Sequence, residues 1–323
     1  MEFLRSVLAQ DEAVTVSTRV TYDLPVNPLS HIIFTLKGLN ETGTITDYVL
    51  LSGLLAAITN IAVEFKGTSI FSGSAKDLSV LYQLLLNKPI GQCNLVKTDE
   101  DVRMFTMTLP FGRRLFNPDE CFPAVKRGDL RLIIDYAAAQ TAFTDLYAQI
   151  ETVELPGATP KGFIKATTIS KTLASGVGND VDLPIGNPIV GILLYGTTTP
   201  TGASYDATID KVKCLVDNVE SHFSEANWES LHGEFRGMYP VNLQNSQHIH
   251  RFADAAAGET DTGLQQDDAG YVEKYGYLDF DPSRDDKYLL ITEGKSRVHL
   301  RVTGGAADAA RFMPVELIAV GGA

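Results

Sequence analysis

Several things are scarce in this sequence, and each scarcity excludes something. Only three cysteines, Cys93, Cys121 and Cys214, occur in 323 residues. They form no CxxC, and an odd count argues against a disulfide framework, so a reducing compartment fits. Positive charge is short: 27 Lys and Arg stand against 40 Asp and Glu, for a net charge of −13. Nonspecific attraction to nucleic acid or to an anionic membrane is therefore disfavoured. Long apolar runs are missing too. Residues 48–63 are too short to span a bilayer and are interrupted by Ser52, Gly53, Thr59 and Asn60. Residues 183–205 are long enough, but Pro184, Pro188, Pro200 and the threonines spoil them as an apolar helix. Residues 1–10 mix charge with apolar side chains and lack a continuous apolar core, so no signal peptide is expected. With 44% hydrophobic residues, the chain reads as soluble and able to bury two substantial cores.

What the sequence does have is a repeat. Asp23-Leu24-Pro25-Val26-Asn27-Pro28-Leu29 returns as Asp182-Leu183-Pro184-Ile185-Gly186-Asn187-Pro188-Ile189, with one inserted glycine and two aliphatic swaps. An apolar run closed by glycine follows each copy, 31–38 and 190–196. A period of about 160 residues is too long for a solenoid unit and suits a whole domain. Other features keep the same order. Leu51, Leu54, Ile58, Ile61 and Phe65 match Ile209, Val212, Val216, Val219 and Phe223 at one offset. Leu78, Leu81, Tyr82 and Leu85 are answered by Trp228, Leu231, His232 and Phe235. That spacing is an amphipathic helix, with Ser74 and Ser224 expected as the N-caps. Leu130, Leu132 and Ile134 alternate as Val298, Leu300 and Val302 do, which is the strand signal. Each copy closes on an apolar segment, 147–155 and 312–320. The first copy carries 66–73 in addition, which reads as an added hairpin.

In chain order, residues 1–17 form an N-terminal arm outside the repeat. Phe3, Leu4, Val7 and Leu8 share one helical face and are the candidates for docking on a neighbouring subunit or an internal surface. Residues 18–155 make the first unit, with strands through 14–38, 58–65, 105–109 and 130–136 and a helix over 75–86. The Pro- and Gly-punctuated stretch 156–179 is the expected linker, and 180–323 the second unit. Residues 253–270, rich in Ala, Asp, Gly and Gln without apolar periodicity, are expected to form a long exposed loop. Short strands, one helix per copy and no βαβ rhythm point to antiparallel sandwiches or barrels.

Chemistry is harder to find. His248-Ile249-His250 would place two imidazoles on one face of a strand, half of a metal site, with Asp254 as a candidate carboxylate. This would suit a two-barrel metalloenzyme of the bicupin type. Yet Asn242 stands where that pattern needs glycine, the first copy has no His-x-His, and His31, His222, His232 and His299 form no second motif. No stoichiometric metal is expected. Gly176-Val177-Gly178 lacks the third glycine of a dinucleotide site. Asp281, Asp285 and Asp286 with Arg284 and Lys287 read as a solvated turn rather than a calcium site. Arg113-Arg114 and Lys126-Arg127 are too isolated for a nucleic-acid patch. No catalytic or cofactor-binding residues are assigned.

The duplicated Asp-Leu-Pro…Asn-Pro segments, the order of strands and helix, and Leu109-Pro110-Phe111-Gly112-Arg113 ahead of a Leu-rich strand together resemble the double jelly-roll major capsid proteins of tailless icosahedral viruses. That resemblance implies an all-β chain of two tandem eight-stranded jelly rolls, with one short helix in each. It implies a structural role without cofactors: homotrimers forming pseudo-hexameric capsomers in a virion, made in the host cytoplasm, in contact with neighbouring capsomers and minor capsid proteins. In several relatives the inner face lies over a lipid membrane, and the acidic charge here suits a shell kept apart from the genome. A bicupin-type metalloenzyme and a β-sandwich surface binding module are the rival readings. Fold alone does not decide among them.

Overall fold

A computed structural model describes residues 2–40, 51–88, 90–93, 102–138, 143–199, 207–238 and 272–321. The strands of the first half are β1 (Leu4–Ala13), β2 (Arg19–Asp23), β3 (Leu29–Asn40), β4 (Ile58–Phe65), β5 (Thr68–Gly73), β6 (Gly91–Cys93), β7 (Val102–Pro110), β8 (Leu130–Tyr136) and β9 (Phe143–Glu154). Two helices interrupt them, α1 (Leu51–Ala56) and α2 (Ala75–Leu86). The second half holds β10 (Gly162–Thr167), β11 (Ile169–Thr172), β12 (Gly178–Asp182), β13 (Ile189–Gly196), β14 (Ile209–Val216), β15 (Val219–Glu220), β16 (Ala226–Asn227), α3 (Trp228–Met238), β17 (Tyr275–Asp279), β18 (Val298–Gly304) and β19 (Ala309–Ala319).

Strand order reveals the same object twice. In the first half β1-β9-β3-β7 faces β2-β8-β4-β5; in the second, β10 and β11 with β19-β13-β17 face β12-β18-β14-β15. Each is a jelly roll, two four-stranded sheets closed by long crossovers. The repeated Asp-Leu-Pro…Asn-Pro segments are the connectors that carry the chain from one sheet to the other, between β2 and β3 and between β12 and β13. Their prolines occupy positions where no ladder donor is needed. Both connectors are tied down alike. Leu24 N donates to Leu130 O as Leu183 N does to Val298 O, and Leu155 N to Pro28 O as Leu317 N does to Pro188 O.

The register corrects the sequence alignment. Ile61, Val63 and Phe65 pair with Ile134, Leu132 and Leu130, while Val212, Cys214 and Val216 pair with Val302, Leu300 and Val298. The true counterparts of 61–65 are therefore 212–216, and the matched comb of five was out of step. The comb spans α1 and β4, two elements of different period, so its spacing was coincidental. Residues 66–73 are likewise no addition. They hold β5, whose shortened counterpart is β15, and both follow a two-residue turn with both φ positive: Lys66-Gly67 at 50° and 81°, Asp217-Asn218 at 49° and 67°. Such turns match strand twist, which is why Gly and Asn sit there.

Three further expectations change. Residues 156–179 are not a linker: β10 and β11 lie inside them and pair with β19 as the opening strand of the second jelly roll. Phe163, Ile164 and Ala166 are buried there, between flanking prolines and glycines that disguise the strand. The first jelly roll contains two helices rather than one. Finally, α2 is capped as read, with Ser74 accepting from Asp77 N at 3.1 Å and Asn87 closing it in the left-handed region. Ser224 caps nothing, because β16 holds the chain extended until Trp228.

Candidate assembly site

The N-terminal arm is the largest correction. Residues 4–13 are strand, not helix, and pair antiparallel with β9 from Leu4↔Glu154 to Ala13↔Tyr147. A lone short helix is marginal in water, whereas the β9 edge supplies a ladder of backbone hydrogen bonds. Phe3, Leu4 and Val7 remain exposed, at 61%, 49% and 56%, while Leu8 packs against the first core. Phe3 meets the ring of Phe116 edge-on at 5.4 Å, and Phe116 meets His31 at 5.1 Å.

The two jelly rolls are joined along a seam. Parallel pairing of β5 with β10, Ala166↔Phe71 and Thr167↔Ser72, makes one continuous sheet from β2 to β17. Beside it Phe71, Phe111, Phe122 and Phe163 meet in sequence, tilted or edge-on, with centroids 5.2, 5.3 and 4.8 Å apart. On one flank lies α2, which contacts both halves. Its Asp77, 2% exposed, accepts from Tyr275 Oη at 2.6 Å and from Arg311 Nε and Nη2 at 2.8 Å each. The Arg311 guanidinium lies 3.6 Å from the centroid of the Tyr195 ring. Burial and the Asp77 charge push the Tyr275 phenol far above its ordinary range. A carboxylate inside a protein needs such partners, and here all of them come from the other jelly roll.

A second latch is built on the Leu109–Arg113 motif. A Cβ on Gly112 would fall 2.1 Å from the Glu120 carbonyl oxygen, so only glycine allows the chain to fold back there. This turn aims Arg113 across the seam. Its Nε donates to Glu120 at 2.9 Å and its Nη1 to Asp281 at 3.0 Å, with Asp286 also in contact. The acidic turn is consequently not merely solvated. Asp281 is buried, and Asp286 N donates back to it at 3.0 Å.

At one end of the molecule lie the 24–28 and 183–188 connectors, the 66–67 and 217–218 turns, and the 111–129 and 280–297 loops. Parallel β5 and β10 place this end of both jelly rolls on one side. Eight of the fourteen exposed large apolar residues among those described gather here: Phe3, Leu4, Val26 and Phe116, then Ile185, Val219, Tyr288 and Ile291. Arg114, Lys126, Arg127, Arg284, Lys287 and Lys295 lie on the same loops, and none of them forms an ion pair among the described residues. The sequence offered no sign of this gathering, because its members are scattered over nearly 300 positions.

No group of three metal-ligating side chains and no helix long and apolar enough to cross a membrane occurs among the described residues. His248, His250, Asp254 and the 253–270 stretch lie outside those residues. Of the remaining histidines, His232 Nδ1 sits 2.7 Å from Tyr275 O and His222 Nε2 sits 3.0 Å from Tyr288 O, both structural contacts.

A scan of protein-family models and a search of curated sequences find no match. Solved structures do match. The major capsid protein of STIV superposes with a TM-score of 0.68 over 99% of this chain and 97% of that one, at 13% identity. The major capsid protein of bacteriophage PM2 gives 0.60 over 99% and 98%, also at 13% identity. The capsid of PBCV-1 virus gives 0.59 over 98% and 93%, at 9% identity. Nearly end to end, the chain has the double jelly-roll fold found in these viral capsid proteins.

Proposed function

We propose that this chain is the major capsid protein of an icosahedral virus, acting in the virion as a structural element and not as an enzyme. The observation that carries this reading is the fusion of two jelly rolls of one topology, side by side in one continuous sheet with their loop ends aligned. Such a chain is a double building block. Three copies closed around an axis present six similar modules, and a closed ring leaves no unused edge. The resulting capsomer packs beside its neighbours and beside minor capsid proteins.

The same reading orients the molecule. The end bearing Phe3, Leu4, Val26, Phe116, Ile185, Val219, Tyr288 and Ile291 faces a lipid layer inside the shell, with the unpaired cations of its loops toward headgroups. Amphipathic display of this kind favours an interface between water and acyl chains. Direct contact with the genome is not part of the reading, since the chain as a whole carries a net charge of −13. Light scattering of the released protein tests the assembly: about three times the 35.1 kDa chain mass is expected. A monomer at all concentrations up to those inside a particle would overturn it.

A further inference from the structure

The chain carries both halves of a joint it has already made once. In the intact seam, α2 of the first jelly roll fills the space over β13 and β17 of the second, beside α3. Asp77, Val80 and Leu84 are buried on the face of the helix turned to that contact, in addition to its inward face, while Ser79 and Gln83 bond to each other on the side toward β7. Leu193, Tyr275, Tyr277 and Met313 are buried on the receiving side.

Strand register and helix spacing locate the corresponding surfaces in the other half. Matching Leu78, Leu81, Tyr82 and Leu85 of α2 with Trp228, Leu231, His232 and Phe235 of α3 places Asn227, Ser230 and Glu234 where α2 has its three seam residues. All three are exposed. The receiving side is also open. Arg311 pairs with Tyr195, and its counterpart Gln149 pairs with Thr35. Tyr277 and Tyr275 correspond to Thr108 and Thr106, opposite Ile33 and Thr35 on β3. Where the second jelly roll holds a helix beside α3, the first holds a groove of about 210 Å³ beside α2, lined by Tyr82, Gln83, Leu86, Thr106 and Thr108 among others.

We infer that the outward side of α3, centred on Asn227, Ser230 and Glu234, docks into the groove between α2 and β7 of a second copy of this chain. The inference rests on the capsomer reading and supplies its contact surfaces. Donor and acceptor sit on different faces, so the contact is head to tail and must close into a ring. The open version is more polar than the sealed one: Thr106 and Thr108 replace Tyr275 and Tyr277, and Ser230 and Glu234 replace Val80 and Leu84. That is the expected difference between a surface that must tolerate water before assembly and one buried during folding.

The test uses paired cysteines in the full chain, Asn227→Cys with Gln149→Cys, at the positions matching Asp77 and Arg311. Treatment with a short bismaleimide should link chains into species that stop at three, and neither single variant should do so. A trimer by light scattering that gives no link from the pair would overturn the surface assignment while leaving the capsomer reading intact. A monomer throughout would overturn both. A second variant gives an independent readout: Asn227→Asp with Gln149→Arg recreates the sealed latch between chains. It should tighten association by about tenfold beyond the sum of the single changes, as expected for one charge-assisted hydrogen bond. Strict additivity would count against the contact.

Discussion

The Asn27 amide donates to the Glu154 carboxylate at 2.7 Å, tying the connector between sheets to the last strand of its jelly roll. Asn187 repeats the bond to Glu316 at 3.1 Å. Both glutamates are buried, and each has one more partner, Ser6 for Glu154 and Lys165 for Glu316. The Asn-Pro of the repeat is therefore a lock: proline starts the strand and asparagine satisfies a buried charge. Asn27→Ala and Asn187→Ala should each cost about 2 kcal/mol, because a charged acceptor is left short of a donor. Denaturant unfolding checks this, and losses below about 0.5 kcal/mol would remove the lock.

Asp77 should be among the most sensitive polar positions in the chain. Asp77→Ala leaves Arg311 and the Tyr275 hydroxyl without their acceptor, at an expected cost of about 3 kcal/mol. Replacing the whole group with apolar side chains, Asp77→Leu with Arg311→Met and Tyr275→Phe, should recover much of that loss. A triple variant weaker than Asp77→Ala would show that the ion pair itself holds the seam.

His31 gives the chain an acid sensitivity of known sign. Burial, with help from Arg5 and Lys88, lowers the imidazole from 6.5 to about 4. The folded protein thus keeps it neutral while the unfolded chain takes up a proton below pH 6.5. Its contribution is present above that pH and is lost as pH falls toward 4, to a limit of roughly 3 kcal/mol. His31→Gln should be less sensitive over this window than the parent. Parallel stability curves for the two proteins would contradict the assignment.

The apolar end makes a prediction about lipid. The net charge of −13 disfavours an anionic surface for the chain as a whole. The cations and apolar side chains gathered at this end should nevertheless let the full chain float with vesicles containing anionic lipid, and Ile185→Ser, Tyr288→Ser and Ile291→Ser together should weaken binding. At about 1 kcal/mol for each partly buried side chain, the combined loss is on the order of a hundredfold. Unchanged flotation would place the bilayer elsewhere, or nowhere.

Much of this architecture is legible before folding. The repeated connector, the alternation in β8 and β18, and the capped helix over 75–86 are local signals, and each marks an element of the fold. The failures also have local causes. Phe3, Leu4, Val7 and Leu8 fit a helical face, and nothing nearby shows that their true partner is β9, about 140 residues away. Residues 51–65 satisfy two periods at once, so a helix followed by a strand looked like one comb. The seam was invisible for a different reason. Asp77 lies 234 residues from Arg311, and a charged residue early in a helix ordinarily reads as solvated.

Electron microscopy of the purified protein, or of the particle it comes from, tests the central claim most directly. The account predicts capsomers with six lobes of nearly equal size around a threefold axis, each pair of lobes belonging to one chain. Isolated two-lobed molecules at high concentration, or rings with any number of chains other than three, would contradict it.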